Sequence, residues 1–430
     1  MRCQICPVPF FVFLKSWKKC AEHCKFVLIV SCYSHIIKRK GGLFKMKRKL
    51  LGMLLSVAMV ATVFTGCGSA STDAPADDAA AEETTDDAAA EETTDDAAAE
   101  DTSAGGGLIG VAMPTKDLQR WNQDGENMKE SLEAFGYEVD LQYASNDPAT
   151  QVSQIENMIN NGCQVLVIAS IDGDSLGTVL AQAKEKNIPV IAYDRLIMNS
   201  DAVTYYATFD NYLVGQKQGE YIVEQLDLDN QDGPFNLEIV TGDPGDNNVN
   251  FFYGGAMDVL QPYIDAGKLV VPSGQIAKEK VATANWATET AQARFENILS
   301  SYYADGTQLD VVLASNDSTA LGVANALAAN YHGKYPILTG QDCDIASVKN
   351  IIDGKQSMSI FKDTRDLAAK VVEMVDAIMK GKEAPVNDTK TYDNGTGIIP
   401  SYLCEPVFAD INNYKELLID SGYYTEADLQ

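Results

Sequence analysis

Polar residues able to hold a ligand recur at one kind of place in this chain, directly after short apolar runs. Lys116, Arg120 and Trp121 follow Leu108–Met113, and Asp194 and Arg195 follow Val190–Tyr193. A glycine-containing loop after Leu237–Thr241 carries Asp246, Asn247 and Asn248. Trp286, Asn316-Asp317, Gly340-Gln341-Asp342 and Phe361-Lys362-Asp363 complete the set. Each alone has an ordinary explanation as a helix cap, a surface pair or a core tryptophan. Together they offer carboxylates, carboxamides, cations and two indoles, with no nucleophile–base pair. Such groups suit a neutral polyhydroxylated ring. Its hydroxyls both donate and accept hydrogen bonds, and its apolar C–H faces stack on indoles. Charges paired with one another and with the ligand tolerate desolvation.

Three motifs that would mean different chemistry fail on their context. Gly105 to Gly110 formally reads G-x-G-x-x-G, but it precedes the first apolar run, whereas a dinucleotide fingerprint follows a strand. Gly173-Asp-Ser175-Leu-Gly177 formally reads G-x-S-x-G, the elbow of a hydrolase nucleophile. That enzyme needs a later His and an oxyanion loop. Beyond residue 67 the chain has only His332, no His-Gly-Gly-Gly segment, and Ser175 reads as a helix-start residue. In the acidic loop Asp227–Gly233, aligning the glycine on a calcium-binding loop puts Leu228 and Ile239 at ligand positions, so the pattern fails. No metal, no cofactor and no catalysed reaction are implied.

The elements that must position these residues alternate regularly. Leu108–Met113, Val165–Ser170, Val190–Asp194, Leu237–Thr241, Val311–Ser315 and Ile337–Gly340 read as buried parallel strands. Asp124–Phe135, Gln151–Asn160, Ser175–Lys186 and Thr288–Tyr302 read as helices. This predicts α/β sheets covered on both faces. The units are too many for one sheet, so two doubly wound lobes are expected, with ligands outside the carboxyl ends of the strands.

The first hundred residues read differently. Met46-Lys-Arg-Lys49, the apolar run Leu50–Val63 and Phe64-Thr-Gly-Cys67 form a secretory signal ending in a lipobox-like cysteine. That run is 14 residues long, short of the roughly 20 that span a bilayer. Residues 1–45 sit awkwardly before such a signal and read as a spurious extension, with Met46 the start. Their Cys3, Cys6, Cys20 and Cys24 also admit a zinc-site reading. Residues 67–107 follow as an acylated Cys67 and an acidic tether repeating every nine residues, as in Asp77–Thr85 and Asp86–Thr94. The remaining chain carries 21 bases against 47 acids, a charge of −26, which repels nucleic acid. Cys163, Cys343 and Cys404 allow at most one disulfide and imply no framework; buried free thiols are the simpler reading.

The chain from Leu108 to Gln430 resembles the pentose/hexose-binding (multiple-monosaccharide-binding) proteins of ABC sugar importers, in the type I periplasmic-binding-protein family. The resemblance rests on Val111-Ala-Met-Pro-Thr-Lys116, Arg120-Trp121, Gln154-Ile-Glu-Asn-Met158 and Val167-Ile-Ala-Ser-Ile-Asp-Gly173. It extends through Ile191-Ala-Tyr-Asp-Arg-Leu-Ile197, Tyr205-Tyr-Ala-Thr-Phe-Asp-Asn211, Asp246-Asn-Asn248 and Gly340-Gln-Asp342. It ends with Ile360-Phe-Lys-Asp-Thr-Arg365 and Asn387-Asp-Thr-Lys-Thr-Tyr392.

The resemblance implies two Rossmann-like lobes joined by a three-strand hinge, crossing near Asp210, Asp363 and Pro400. Lobe 1 would hold 108–210 and 363–399, and lobe 2 would hold 211–362 and 400–430. It further implies that Arg120, Asp194 and Arg195 bind sugar hydroxyls and that Trp121 and Trp286 cover the two ring faces. Asn247, Asn248, Asn316, Asp342 and Lys362 would complete the pocket. At Asn316-Asp317 the chain carries the Asn-Asp of xylose binders where broad aldose binders have Tyr-Asp, which leaves the preferred sugar open. An ABC permease is the implied partner, with a sensor kinase or chemoreceptor as the alternative, and the lipid on Cys67 is the implied membrane attachment.

Overall fold

The computed structural model describes residues 106–430; Cys67, the signal and the acidic repeat lie outside the described residues. The first sheet contains β1 (Leu108–Met113), β2 (Glu138–Tyr143), β3 (Val165–Ile168), β4 (Val190–Tyr193), β5 (Val203–Phe209) and β11 (Ser401–Cys404). Its order is β11-β5-β4-β3-β1-β2 and every pairing is parallel. A second parallel sheet runs in the order β7-β6-β8-β9, from Leu269–Val270, Phe235–Val240, Val311–Ala314 and Ile337–Leu338. An antiparallel pair, β10 (Met358–Phe361) and β12 (Val407–Asp410), adjoins it through backbone bonds from Asp342 to Ile360 and from Ile360 to Gly340.

Side-chain alternation explains why both sheets bury both faces. Ile109, Val111, Met113, Val165 and Val167 face helices Gln119–Ala134 and Thr364–Met379. Ala112, Leu166 and Ile168 face helices Pro148–Asn160 and Gly177–Glu185. In the second sheet Leu237, Ile239, Val311 and Leu313 pack toward helices Asn211–Gln225 and Asn248–Asp265. Val240, Val312 and Ala314 pack toward helices Thr288–Tyr302 and Asp317–Asn330.

The chain passes between the sheets three times. The first two crossings end in aspartates that start a helix: Asp210 accepts from the Leu213 amide at 3.0 Å, and Asp363 from the Arg365 amide at 3.0 Å. An N-cap aspartate both stops the strand and opens the helix beyond it. The third crossing falls at Glu405-Pro406 rather than near Pro400. Ser401–Cys404 pairs with Tyr206–Phe209 as the edge strand of the first sheet, so the chain leaves that sheet later than expected.

Other departures are local. Helix Gln119–Ala134 starts five residues before the expected Asp124, which places Arg120 and Trp121 on it. Ser175 caps no helix. Its hydroxyl donates to the Asp172 carbonyl at 2.9 Å, and the helix begins at Gly177. Cys163, Cys343 and Cys404 are free thiols, the first two buried and Cys404 partly so. No described helix is long and apolar enough to cross a membrane.

Candidate functional site

Nine of the ten residues expected to bind ligand line one cavity between the sheets, about 400 Å³ of non-atom space with the open solvent at its mouth included. Arg120 and Trp121 come from the first turn of the helix after β1, and Asp194 and Arg195 from the end of β4. Asn248 opens the helix after β6, Asn316 precedes the helix after β8, and Asp342 follows β9. Trp286 sits in the short turn before Thr288–Tyr302, and Lys362 lies at the second crossing, directly after β10. Asn247 is the exception. It lies half-buried at the helix start and accepts from Asn250 at 2.9 Å, outside the cavity. Its neighbour Asn248 takes the inward direction, so only one of the two amides can face the cavity.

Arg120 is the electrostatic centre. Its Nε donates to Asp124 at 2.9 Å, one terminal nitrogen to Asp342 at 3.1 Å, and the other to Asp194. Burial works against the charged guanidinium, but the three carboxylates outweigh it and hold its pKa well above the ordinary value. Lys362, almost fully buried, reaches Asp342 at 3.0 Å and Asp194 at 3.8 Å. Arg195 pairs with Asp246 at 2.9 Å and donates to the Ser170 carbonyl at 3.1 Å.

The carboxyls respond differently. Burial alone would raise Asp194, yet Arg120, Lys362 and Arg195 together bring it below the usual carboxylate range. Burial raises Asp246 despite Arg195, and raises Asp124 despite Arg120. Deeper still, Asp317 is driven well upward by burial beside Asp344 and Asp342.

Two amides already serve the frame. Asn248 donates to the Asp194 carbonyl at 2.6 Å and accepts from the Tyr206 hydroxyl at 3.0 Å, tying the two sides of the cleft. The Asn316 side-chain oxygen caps its own helix through the Thr319 amide at 3.0 Å. The rings are also held. Trp121 has the guanidinium groups of Arg120 and Arg195 each 5.0 Å from its ring centre. Trp286 donates to Asp246 at 3.2 Å and packs edge-on against Phe252. A Cβ on Gly242 would overlap the Trp286 ring, so that position tolerates only glycine.

Asp194, Trp286 and Asp342 have φ of 57°, 56° and 100°, in the left-handed region. Aspartate enters it at modest cost, whereas for tryptophan it is a real strain that the surrounding packing must hold.

Sequence reasoning missed Leu118, Phe252, Ser318 and Asp344 as lining residues, and it noted Asp246 and Gln341 in their loops without assigning them to the ligand. One left a signal: Phe252 lies four residues after Asn248 on the same helix. The serine and histidine of the rejected hydrolase motif stand apart, Ser175 beyond β3 and His332 exposed beyond helix Asp317–Asn330. Among the described residues no group of side chains is arranged to hold a metal ion.

A family model described as a periplasmic binding protein domain matches residues 109–383. The chain belongs to the periplasmic binding protein family. Within it, the chain is 52% identical over 326 residues to the multiple sugar-binding periplasmic protein SbpA of Azospirillum brasilense, covering 75% of this chain and 91% of that one. It is equally 52% identical over 328 residues to the multiple sugar-binding periplasmic receptor ChvE of Rhizobium radiobacter, covering 75% and 92%. An ABC transporter solute-binding protein from Clostridium phytofermentans, solved with bound β-D-glucose, superposes with a TM-score of 0.75 at 78% identity, covering 75% of this chain and all of that one. These matches place the described region in the type I periplasmic-binding-protein fold, as a solute-binding protein and not an enzyme.

Proposed function

We propose that the chain captures a monosaccharide between its two lobes, outside the cell, and delivers it to an ABC-type permease. The observation that carries this reading is the cavity itself: three cations matched against carboxylates, two indoles and three carboxamides, with no reactive pair. Arg120, Asp194 and Arg195 would take sugar hydroxyls from the first lobe, and Trp121 and Trp286 would cover the ring. Asn316, Asp342 and Lys362 would take the remaining hydroxyls, and Asn248 would meet the ligand while joining the lobes. A neutral aldose fits better than a phosphosugar, because each cation is already engaged by a carboxylate and the surrounding protein is strongly acidic.

The test is a titration of tryptophan emission with glucose, galactose, xylose, arabinose and glucose 6-phosphate. Saturable change is expected with at least one neutral aldose and none with the phosphate. Trp121→Phe and Trp286→Phe should each remove part of the signal while retaining some binding. Preferential binding of the phosphosugar, or an unchanged signal in both variants, contradicts the reading.

Tethering through an acylated Cys67 belongs to the same proposal. Cys67→Ser should release the protein from the membrane or leave it unprocessed, and fractionation with membrane lipid after normal processing contradicts the anchor. Sugar sensing is the second reading, favoured by the word receptor in the name of one relative. Deletion that abolishes sugar uptake supports delivery; deletion that leaves uptake intact and abolishes a sugar response supports sensing.

A further inference from the structure

One acidic group in the cavity is used by none of the interactions above. Asp344 immediately precedes helix Ile345–Ile352, where an aspartate ordinarily turns its side chain back to accept from the first free amides. Here the side chain makes no such bond. It lines the cavity instead, and its Oδ1 is shielded from solvent without any hydrogen-bond partner. A residue that forgoes its cap to leave an oxygen unpaired beside a ligand cavity has an unmet bonding requirement, and the ligand is the group placed to meet it.

We propose that Asp344 is a further ligand-contacting and specificity-determining residue, whose shielded Oδ1 makes a hydrogen bond with a hydroxyl of the bound sugar. The proposal rests on the sugar-binding reading above. It adds a further polar contact beside carboxylates that only accept. Asp194, Asp246 and Asp342 all accept, and Arg120, Arg195 and Lys362 already spend N–H groups on them. A sugar hydroxyl on this side finds its partner in Asp344.

The groups facing Asp344 explain why it would be neutral. Asp342 lies beside it and Asp317 accepts its backbone amide at 2.9 Å, while Arg120 and Lys362 oppose them. The Cys343 thiol and the Tyr424 hydroxyl are the remaining titratable neighbours, and both are uncharged, their pKa values raised chiefly by burial. Burial first, and then Asp342, push the Asp344 carboxyl up to about 7 against the pull of Arg120 and Lys362. When the cleft opens to water its ordinary value returns, so closure over the sugar takes up a proton. Affinity is then highest below the ordinary, open-state value, falls as pH rises above it, and the gain is fully lost once pH has passed through the closed-state value.

The experiment is calorimetric titration of the full chain with D-glucose and D-xylose at pH 6 and pH 8, for wild type, Asp344→Asn and Asp344→Ala. For wild type, affinity should fall about ten-fold from pH 6 to pH 8. Asp344→Asn, whose amide also hydrogen-bonds a hydroxyl, should keep near-wild-type affinity at pH 6 and lose most of the fall. Asp344→Ala should lose the fall and bind more weakly at both values. Thermal unfolding of each variant checks that it folds. A wild-type protein that binds no aldose sinks the sugar-binding reading and this proposal with it. Wild type that binds, with both variants matching it in affinity and in pH profile, leaves that reading intact and overturns the role of Asp344.

Discussion

The two walls of the cleft are built from opposite charges. The first-lobe wall presents Arg120 and Arg195, stacked about Trp121, with Asp194 buried beneath them. The second-lobe wall presents Asp246, Asp342 and Asp344 with amides and Trp286, and no arginine or lysine of its own. Lys362 sits at the crossing and touches carboxylates of both walls. The ion pairs Arg120–Asp342 and Arg195–Asp246 therefore run across the cleft. Neither wall is electrostatically complete alone, and closure neutralises each with the other. Buried pairs of this kind contribute little over an apolar surface of the same shape, but they penalise any arrangement in which one partner is missing. The walls thus favour one closed geometry more than they favour closure in general.

The largest expected break in that symmetry is Arg120→Met. It leaves Asp124 without a cation and Asp194 and Asp342 with Lys362 alone as an ion-pair partner in the closed form, at a cost of roughly 3–5 kcal/mol. Aldose affinity by calorimetry should fall by about two to three orders of magnitude. A loss under ten-fold would mean that the walls do not depend on each other.

Asp194→Asn should cost less, because Arg120 keeps Asp124 and Asp342. Asparagine also tolerates the left-handed backbone. Losing hydrogen bonds to a charged group costs about 1.5–3 kcal/mol, so affinity should drop roughly ten- to hundred-fold. An unchanged affinity in a normally folded variant removes Asp194 from the site.

The smallest effect sharpens the comparison at its outer edge. The Tyr424 hydroxyl accepts from Gln119 at 2.7 Å on the first-lobe helix and donates to the Cys343 carbonyl at 3.0 Å in the second lobe. Gln119 also accepts from the Ile345 amide at 3.1 Å. Tyr424→Phe removes a cross-cleft link outside the cavity, about 0.5–1.5 kcal/mol. Stopped-flow dissociation should become about two- to ten-fold faster, with the sugar preference unchanged. An altered preference would place Tyr424 in ligand recognition and not in closure.

Much of this architecture was legible in the chain, and the exceptions have physical causes. Helix Thr288–Tyr302 and strand β1 match their sequence boundaries because an amphipathic period and an unbroken apolar run are both local signals. Strands β2 and β12 escaped because they are edge elements with exposed residues and mixed polarity. The third crossing was misplaced because Ser401–Cys404 becomes a strand only through its partner, Tyr206–Phe209.

The site divides in the same way. Residue type and position after a strand were enough to nominate Arg120, Asp194, Arg195, Asp342 and Lys362, since open α/β sheets leave only that edge free for a ligand. Which member of Asn247-Asn248 turns inward depended on the helix phase at Asn248, and the orphaned Asp344 oxygen on the packing of a loop against Asp317. The Trp286 ring occupies the space left by Gly242, more than forty residues earlier in the chain. The near balance of charge followed from the residue types, but which cation meets which carboxylate across the cleft was invisible to spacing, because Arg120 and Asp342 are 222 residues apart. Local sequence determined the kinds of groups available and the strand ends they occupy. Only the tertiary structure decided their pairing, because Coulomb energy and desolvation depend on distances that the order of residues does not contain.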